Sequence, residues 1–314
     1  MRVLITGASG FAGPWLARAC AEDGDDVTGL SRSGSLPDGC GSGVAVDLRD
    51  GDAVRAALRD VHPEIVYHLA ALSSVGRAWE EPARTVNDNA ASATSMLEAL
   101  RFEAPEARVV WVSSCEVYDA SDELPVDEDG ELGPANPYAV SKATGDMLAG
   151  VYADAHDLSI VRARPFNHAG PGQRPIFIIS SLARQAAEGR IAGVEEIEIV
   201  TGNPETRRDY TDVRDVVRAY RLLADQPPGI FNVSSGRSVS AAELVTLVQA
   251  VVSPMKIRHV VDPARVRARE VMDLCGSHER LTAATGWEPS IPLSQTLGDA
   301  VEWWERELTK EYVG

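Results

Sequence analysis

Tyr138 and Lys142 stand four residues apart in the run Tyr138-Ala139-Val140-Ser141-Lys142. On a helix, that spacing places both side chains on one face. A free tyrosine, with a pKa of about 10, exchanges protons poorly at neutral pH, and a neighbouring ammonium stabilises its phenolate. The pair could therefore serve as a proton shuttle in general acid/base catalysis. An i,i+4 pair is also common on any solvated helix, so the reading depends on what else the chain supplies.

A second signal is Thr6-Gly7-Ala8-Ser9-Gly10-Phe11-Ala12-Gly13. It lies between the apolar run Val3-Leu4-Ile5, a short buried strand, and residues 11–22, whose apolar positions recur at helical spacing. Glycines at 7, 10 and 13 let the backbone turn tightly and approach a pyrophosphate, whose charge then sits at a helix N-terminus. A dinucleotide site is expected there. The next strand ends Gly29-Leu30-Ser31-Arg32-Ser33. An acid at that point would bind the ribose 2′-hydroxyl of NAD, whereas Arg32 and its hydroxyl neighbours suit a 2′-phosphate, so NADP(H) is favoured and NAD(H) is the alternative.

Apolar runs and helical patterns keep alternating through 27–30, 53–60, 65–69, 84–100 and 109–112, which predicts a doubly wound parallel sheet of the Rossmann type. Asn136-Pro137 opens a further helix, with the proline in the first turn, and 158–161 reads as the next strand. Beyond Pro165 the alternation fails and glycine-containing breaks multiply. The expected division is a dinucleotide-binding domain over 1–165, joined by a returning segment near 211–236, and an interleaved, smaller α/β substrate domain over 166–314.

With 314 residues and 25% charged positions, the chain has the composition of an ordinary globular enzyme. Its formal net charge of −17 argues against nucleic acid as a partner, because most of the surface would repel phosphate backbones. Cys20, Cys40, Cys115 and Cys275 show no metal-ligand or disulfide spacing, so no metal is expected. The start of the chain lacks the pattern of a signal peptide and no long apolar span occurs, which implies a cytoplasmic protein without membrane contact.

The glycine loop has the spacing Gly-x-x-Gly-x-x-Gly and resembles the cofactor loop of the extended short-chain dehydrogenase/reductase family. Later runs extend the resemblance over nearly the whole chain: Asp47-Leu48, His68-Leu69-Ala70-Ala71, Asn89, Ser113-Ser114 and Tyr138 to Lys142. It implies Ser114 as the group that polarises a substrate carbonyl, Tyr138 as the acid/base, and Lys142 as the residue that holds the nicotinamide ribose and lowers the tyrosine's pKa. Gly7, Gly10, Phe11, Gly13, Arg32, Asp47, Leu48, Leu69, Ala70, Ala71, Pro165 and His168 would line the cofactor. A homodimer through the helices at 84–100 and 136–154 is also implied.

Residues 164–173, 183–185, 202–203 and 207–217 are most similar to the members of that family that reduce GDP-4-keto-6-deoxy-D-mannose. The resemblance implies a nucleotide-sugar substrate held by Asn167, Arg184, Arg208, Arg267 and Glu270. Glu116, two residues after Ser114, keeps a 4,6-dehydratase or 4-epimerase open, since dehydratases of the family use an acid there to remove the C5 proton. A non-catalytic dinucleotide sensor is the reading from another class. Such proteins lose the tyrosine or the lysine, and both are present here.

Overall fold

The computed structural model describes residues 1–119, 123–266 and 271–313. Val3, Leu4 and Ile5 are fully buried, and their strand, β1 (Arg2–Thr6), lies inside a seven-stranded sheet. The other strands of that sheet are β2 (Asp26–Ser31), β3 (Ser42–Ala45), β4 (Ile65–His68), β5 (Arg108–Val112), β6 (Ile160–Pro165) and, much later, β10 (Gly229–Val233). The order is β10-β6-β5-β4-β1-β2-β3, with every pair parallel. This is the doubly wound Rossmann sheet that the alternation predicts.

Helices cover both faces, as a parallel sheet requires. Leu16 and Cys20 of α1 (Ala12–Glu22) share one apolar cluster with Val216 and Tyr220 of α7 (Val213–Leu223). The other face is closed by Leu58 of α2 (Gly51–Val61), Met96, Leu97 and Leu100 of α4 (Pro82–Glu103), and Ala149 of α5 (Pro137–His156). A short α3 (Val75–Glu80) precedes α4. The sequence reading has no element at β3. Its four residues are all exposed and two glycines, Gly41 and Gly43, flank or interrupt it, so an edge strand carries no apolar alternation there.

A second group of elements is built on β9 (Arg207–Asp212), which pairs with β7 (Asn167–Ala169), β11 (Ser238–Ser240) and β13 (Asp273–Leu274). Beside it β8 (Glu196–Thr201) pairs with β12 (Lys256–Val261). Apolar residues of α6 (Ile178–Ala192), α8 (Ala241–Val252) and α10 (Leu293–Val313) make its core. Between them α9 (Glu279–Thr285) leads into Trp287, which is fully buried and donates its Nε1–H to the Asp215 carbonyl at 3.0 Å. Among the described residues, no helix is long and apolar enough to cross a membrane and no group of three or more His, Cys, Asp or Glu could hold a metal ion. All four cysteines are buried and free.

Candidate active site

The glycine loop turns out of β1 at Gly7, whose φ of +69° is one that side chains rarely adopt. A Cβ at Gly13 would lie 2.4 Å from the Ala8 carbonyl oxygen and 2.6 Å from that of Gly7. The helix can therefore start this close to the strand only without a side chain at 13. Phe11 stands at the N-cap of α1 and gives it no side-chain cap, so the first N–H groups could take an anion such as a pyrophosphate. Phe11 also stacks on His168, ring centroids 5.8 Å apart.

At the end of β4, His68 shares a 2.9 Å hydrogen bond with Thr6 and stacks on Trp111 at 4.1 Å. Burial, helped by Lys142, pushes its pKa down to about 3, which keeps the imidazole neutral. It is a packing group beneath the loop. Leu69, Ala70 and Ala71, which follow it, line the cleft.

Asn136 caps α5 by accepting from the Ala139 N–H at 2.9 Å, and Pro137 occupies the first turn. Tyr138 and Lys142 follow on a face that is buried. Ser114 follows β5 and caps the short 3-10 turn Cys115–Val117, accepting from the Glu116 N–H at 3.2 Å. Burial raises the pKa of the Tyr138 phenol. The Ser114 hydroxyl beside it pulls the other way, and Glu116 and Cys115 add to the rise.

Lys142 donates to the Val112 carbonyl at 2.5 Å, and burial, opposed by Asp146, lowers its pKa to about 8. The ammonium is engaged by the backbone of β5, and burial dominates the phenol. Asn89 ties the region together, donating to Ser141 at 2.8 Å and accepting from the Leu72 N–H at 2.8 Å.

The glycine loop, Asn89, Ser114, Glu116, Tyr138 and Lys142 line one cleft of about 840 Å³, within the usual range for a ligand site. Its other wall carries Pro165, Asn167, His168, Gln173 and Arg208. Two buried polar atoms there lack a hydrogen-bond partner, Asn167 Nδ2 and Gln173 Oε1. Gln173 is oriented by its own amide, which donates to the His168 carbonyl at 2.8 Å. Arg208 donates to the carbonyls of Arg207 and Val271 at 2.7 and 2.8 Å.

Arg184 is not brought to this wall. It pairs with Glu188 one turn on, at 2.8 Å, and lies over Trp304, while Ser181 and Leu182 of the same helix line the cleft. Arg267 and Glu270 fall outside the described residues. The sequence reading missed Arg265, which lines the cleft and donates to the Val200 carbonyl at 2.9 Å. It also missed Arg49. Arg32, Asp47, Leu48 and Arg49 form the end of the cleft beside β2 and β3, so Arg32 is not the sole cation there. The proximity of 49 to Asp47-Leu48 was the available signal.

Comparison with known proteins follows the same lines. A family model described as GDP-mannose 4,6 dehydratase matches residues 4–300. The chain is 35% identical to a GDP-6-deoxy-D-mannose reductase of Pseudomonas aeruginosa, over 99% of both proteins. It is 29% identical to a UDP-glucose 4-epimerase of Mycolicibacterium smegmatis, over 98% of this chain and 99% of the relative. Among solved structures, RMD from Pseudomonas aeruginosa complexed with NADPH matches with a TM-score of 0.82 and 31% identity, covering 98% of this chain and all of that one.

Proposed function

The chain belongs to the GDP-mannose 4,6-dehydratase family, among the extended short-chain dehydrogenases/reductases, and we propose that it reduces the 4-keto group of a nucleotide-linked 4-keto-6-deoxy sugar, GDP-4-keto-6-deoxy-D-mannose, with NADPH. The observation that carries this reading is geometric: Ser114, Tyr138 and Lys142 line the same cleft as the glycine loop and Arg32, with Asn167 and Arg208 also on its wall. A phenol so placed can give its proton to the oxygen when a carbonyl becomes an alcohol.

NADPH, when bound, supplies a hydride. Gly7, Gly10, Phe11 and Gly13 would hold its pyrophosphate, Arg32 its 2′-phosphate, and Asp47, Leu48, Leu69, Ala70 and Ala71 its adenosine side. Pro165 and His168 would close over the nicotinamide half, and Lys142 would hold the adjoining ribose. Tyr138 donates its proton to the C4 oxygen while the Ser114 hydroxyl polarises that carbonyl. Asn167, with its unpartnered buried Nδ2, and Arg208 would take the sugar and the diphosphate. Arg267 and Glu270 are assigned to the nucleoside side by resemblance. Arg184 would contribute only after release from Glu188.

In this reading residues 1–165 with 211–236 bind the dinucleotide and 166–314 bind the sugar nucleotide. Met147 and Val151 on α5 are 58% and 60% exposed, which suits a homodimer built on α4 and α5. A cytoplasmic location accords with both substrates being charged metabolites.

One observation favours a second reading, a 4,6-dehydratase or 4-epimerase. Glu116 lines the cleft two residues from Ser114, where a carboxylate could remove a sugar proton. The two are separated by supplying GDP-4-keto-6-deoxy-mannose and following nicotinamide absorbance. One equivalent of NADPH is consumed per product in a reductase. Conversion of GDP-mannose itself with no net change in cofactor would replace the reductase by the second reading.

A further inference from the structure

Gln173 reaches the cleft wall from a fixed turn. Its backbone N–H donates to the Gly170 carbonyl at 3.3 Å, Trp15 Nε1 donates to the Pro171 carbonyl at 3.2 Å, and the Ser180 hydroxyl of α6 donates to the Gln173 carbonyl. The residue is only 6% exposed, and its Nε2 donates to the His168 carbonyl at 2.8 Å. That contact settles which way the amide lies. The reverse orientation would set the Gln173 side-chain oxygen against the His168 oxygen, two acceptors with no proton between them. Oε1 is thus held as an acceptor, and among the described residues it has no hydrogen-bond partner.

A buried amide oxygen without a donor costs free energy that a ligand hydroxyl would recover. Asn167, on the same wall, has the complementary need, an unpartnered donor at Nδ2. One donor and one acceptor together suit a vicinal diol, whose hydroxyls can each give or take a hydrogen bond. In a nucleotide-linked 4-keto-6-deoxy hexose the free hydroxyls are those at C2 and C3. C1 is joined to the phosphate, C4 is the ketone, C5 carries the ring oxygen and C6 is a methyl group. We infer that Gln173 is a specificity residue: its Oε1 accepts a hydrogen bond from the C2–C3 diol of the sugar, Asn167 donates to the same diol, and C4 is thereby held towards Tyr138. The inference rests on the reductase reading above and adds to it the part of the sugar that the protein reads.

The test is a cycle in both substrate and protein. Values of kcat/KM are measured for GDP-4-keto-6-deoxy-mannose and its 2-deoxy and 3-deoxy forms, with the wild type and with Gln173→Met, which keeps the side chain's length but has no amide. The wild type loses at least about tenfold with one of the deoxy forms, the scale of an acceptor left buried and unpaired. Gln173→Met loses about tenfold on the full substrate and treats that deoxy form within about twofold of it, since no acceptor remains to be satisfied. A wild type indifferent to both hydroxyls overturns the proposal and needs no variant to do so. Equal loss on all three substrates overturns it too, because Gln173 would then only hold His168 in place. So does a weaker NADPH, seen by nicotinamide fluorescence, with an unchanged substrate ratio, which would make the nicotinamide amide the donor. Thermal unfolding controls for folding, and Gln173→Leu repeats the comparison if the methionine variant does not fold. Failure of the reductase reading shows separately, as turnover of GDP-mannose without net use of NADPH. Dissociation constants of GDP-mannose and its 2-deoxy and 3-deoxy forms then run the same cycle.

Discussion

The side-chain amide of Asn136 donates to a Glu116 carboxylate oxygen at 2.8 Å, while the carbonyl of the same amide caps the helix that carries Tyr138. Glu116 is thus fixed to the cleft wall by the acid's own helix. In a reductase such a carboxylate has no proton to remove, and Glu116→Gln keeps the hydrogen-bond acceptor that Asn136 needs. The expected outcome is NADPH oxidation within about fivefold of the wild type, since the general acid is untouched. Loss of all turnover in Glu116→Gln, measured with the keto sugar nucleotide, would instead make Glu116 a base in the reaction.

Tyr138→Phe keeps the ring and its packing but removes the transferable proton. Turnover should fall at least about a hundredfold, the scale of general acid catalysis, with NADPH binding within a few-fold of normal. Single-turnover kinetics and a fluorescence titration separate the two quantities, and near-normal turnover would dismiss the acid assignment.

Lys142 sets a pH dependence. Its ordinary value of 10.5 is lowered to about 8 by burial, with Asp146 opposing. Below pH 8 the folded protein carries the ammonium and above it the neutral amine, so a step that needs the charge declines as pH rises through about 8. Asp146→Asn removes the opposing charge and moves that alkaline limb to lower pH. For stability the sign is reversed. Between about pH 8 and 10.5 the unfolded chain holds the extra proton, so the cost of burying this lysine is full below pH 8 and is relieved as pH rises. A pH-rate profile whose alkaline limb is the same in the wild type and in Asp146→Asn would remove Lys142 as its cause.

Asp146 also anchors the fold. Its two oxygens accept from Arg164 Nε and Nη2 at 3.0 Å each, and the side chains are 1% and 3% exposed. Arg164→Met leaves much of the Asp146 charge uncompensated, although Arg162 remains at 3.1 Å. A loss approaching the range of about 3–5 kcal/mol is expected in denaturant unfolding. Replacing both partners, as Asp146→Leu with Arg164→Met, should recover part of that loss. A double variant no more stable than the single one would show that shape, and not charge, matters there.

The parts of the site that local chemistry marks are legible in the chain. Gly7, Gly10 and Gly13 announce a tight turn against a helix start, and Asn136-Pro137 announces the helix that carries Tyr138 and Lys142, because a cap and its first turn are adjacent in sequence. What stays hidden is set by partners distant in sequence. The run 207–217 reads as a ligand-binding signature, yet its three acids are architectural. Asp209 accepts from the N–H groups of Ser235 and Gly236 at 2.8 and 3.0 Å. Asp212 caps α7 and accepts from Thr296, and Asp215 holds the N–H groups of Ser290 and Ile291. Arg208 is the member of the run that lines the cleft. Arg184 and Ser181 differ only in which side of α6 meets the cleft, a rotation that helical spacing alone does not orient.

The place of β10 at the edge of the main sheet, beyond β6, has a consequence for how the molecule is made. The chain emerges from synthesis N-terminus first, so one edge of β6 must wait with unpaired backbone groups while β7, α6, β8, β9 and α7 are produced. An open strand edge is where nascent chains find the wrong partner. A fragment ending at residue 165 would contain the glycine loop, Ser114, Tyr138 and Lys142, yet it would carry that edge permanently. The interval between Pro165 and Gly229 is therefore the one in which that edge is exposed, and a translational pause after β10 has emerged should cost less soluble protein than a pause before it.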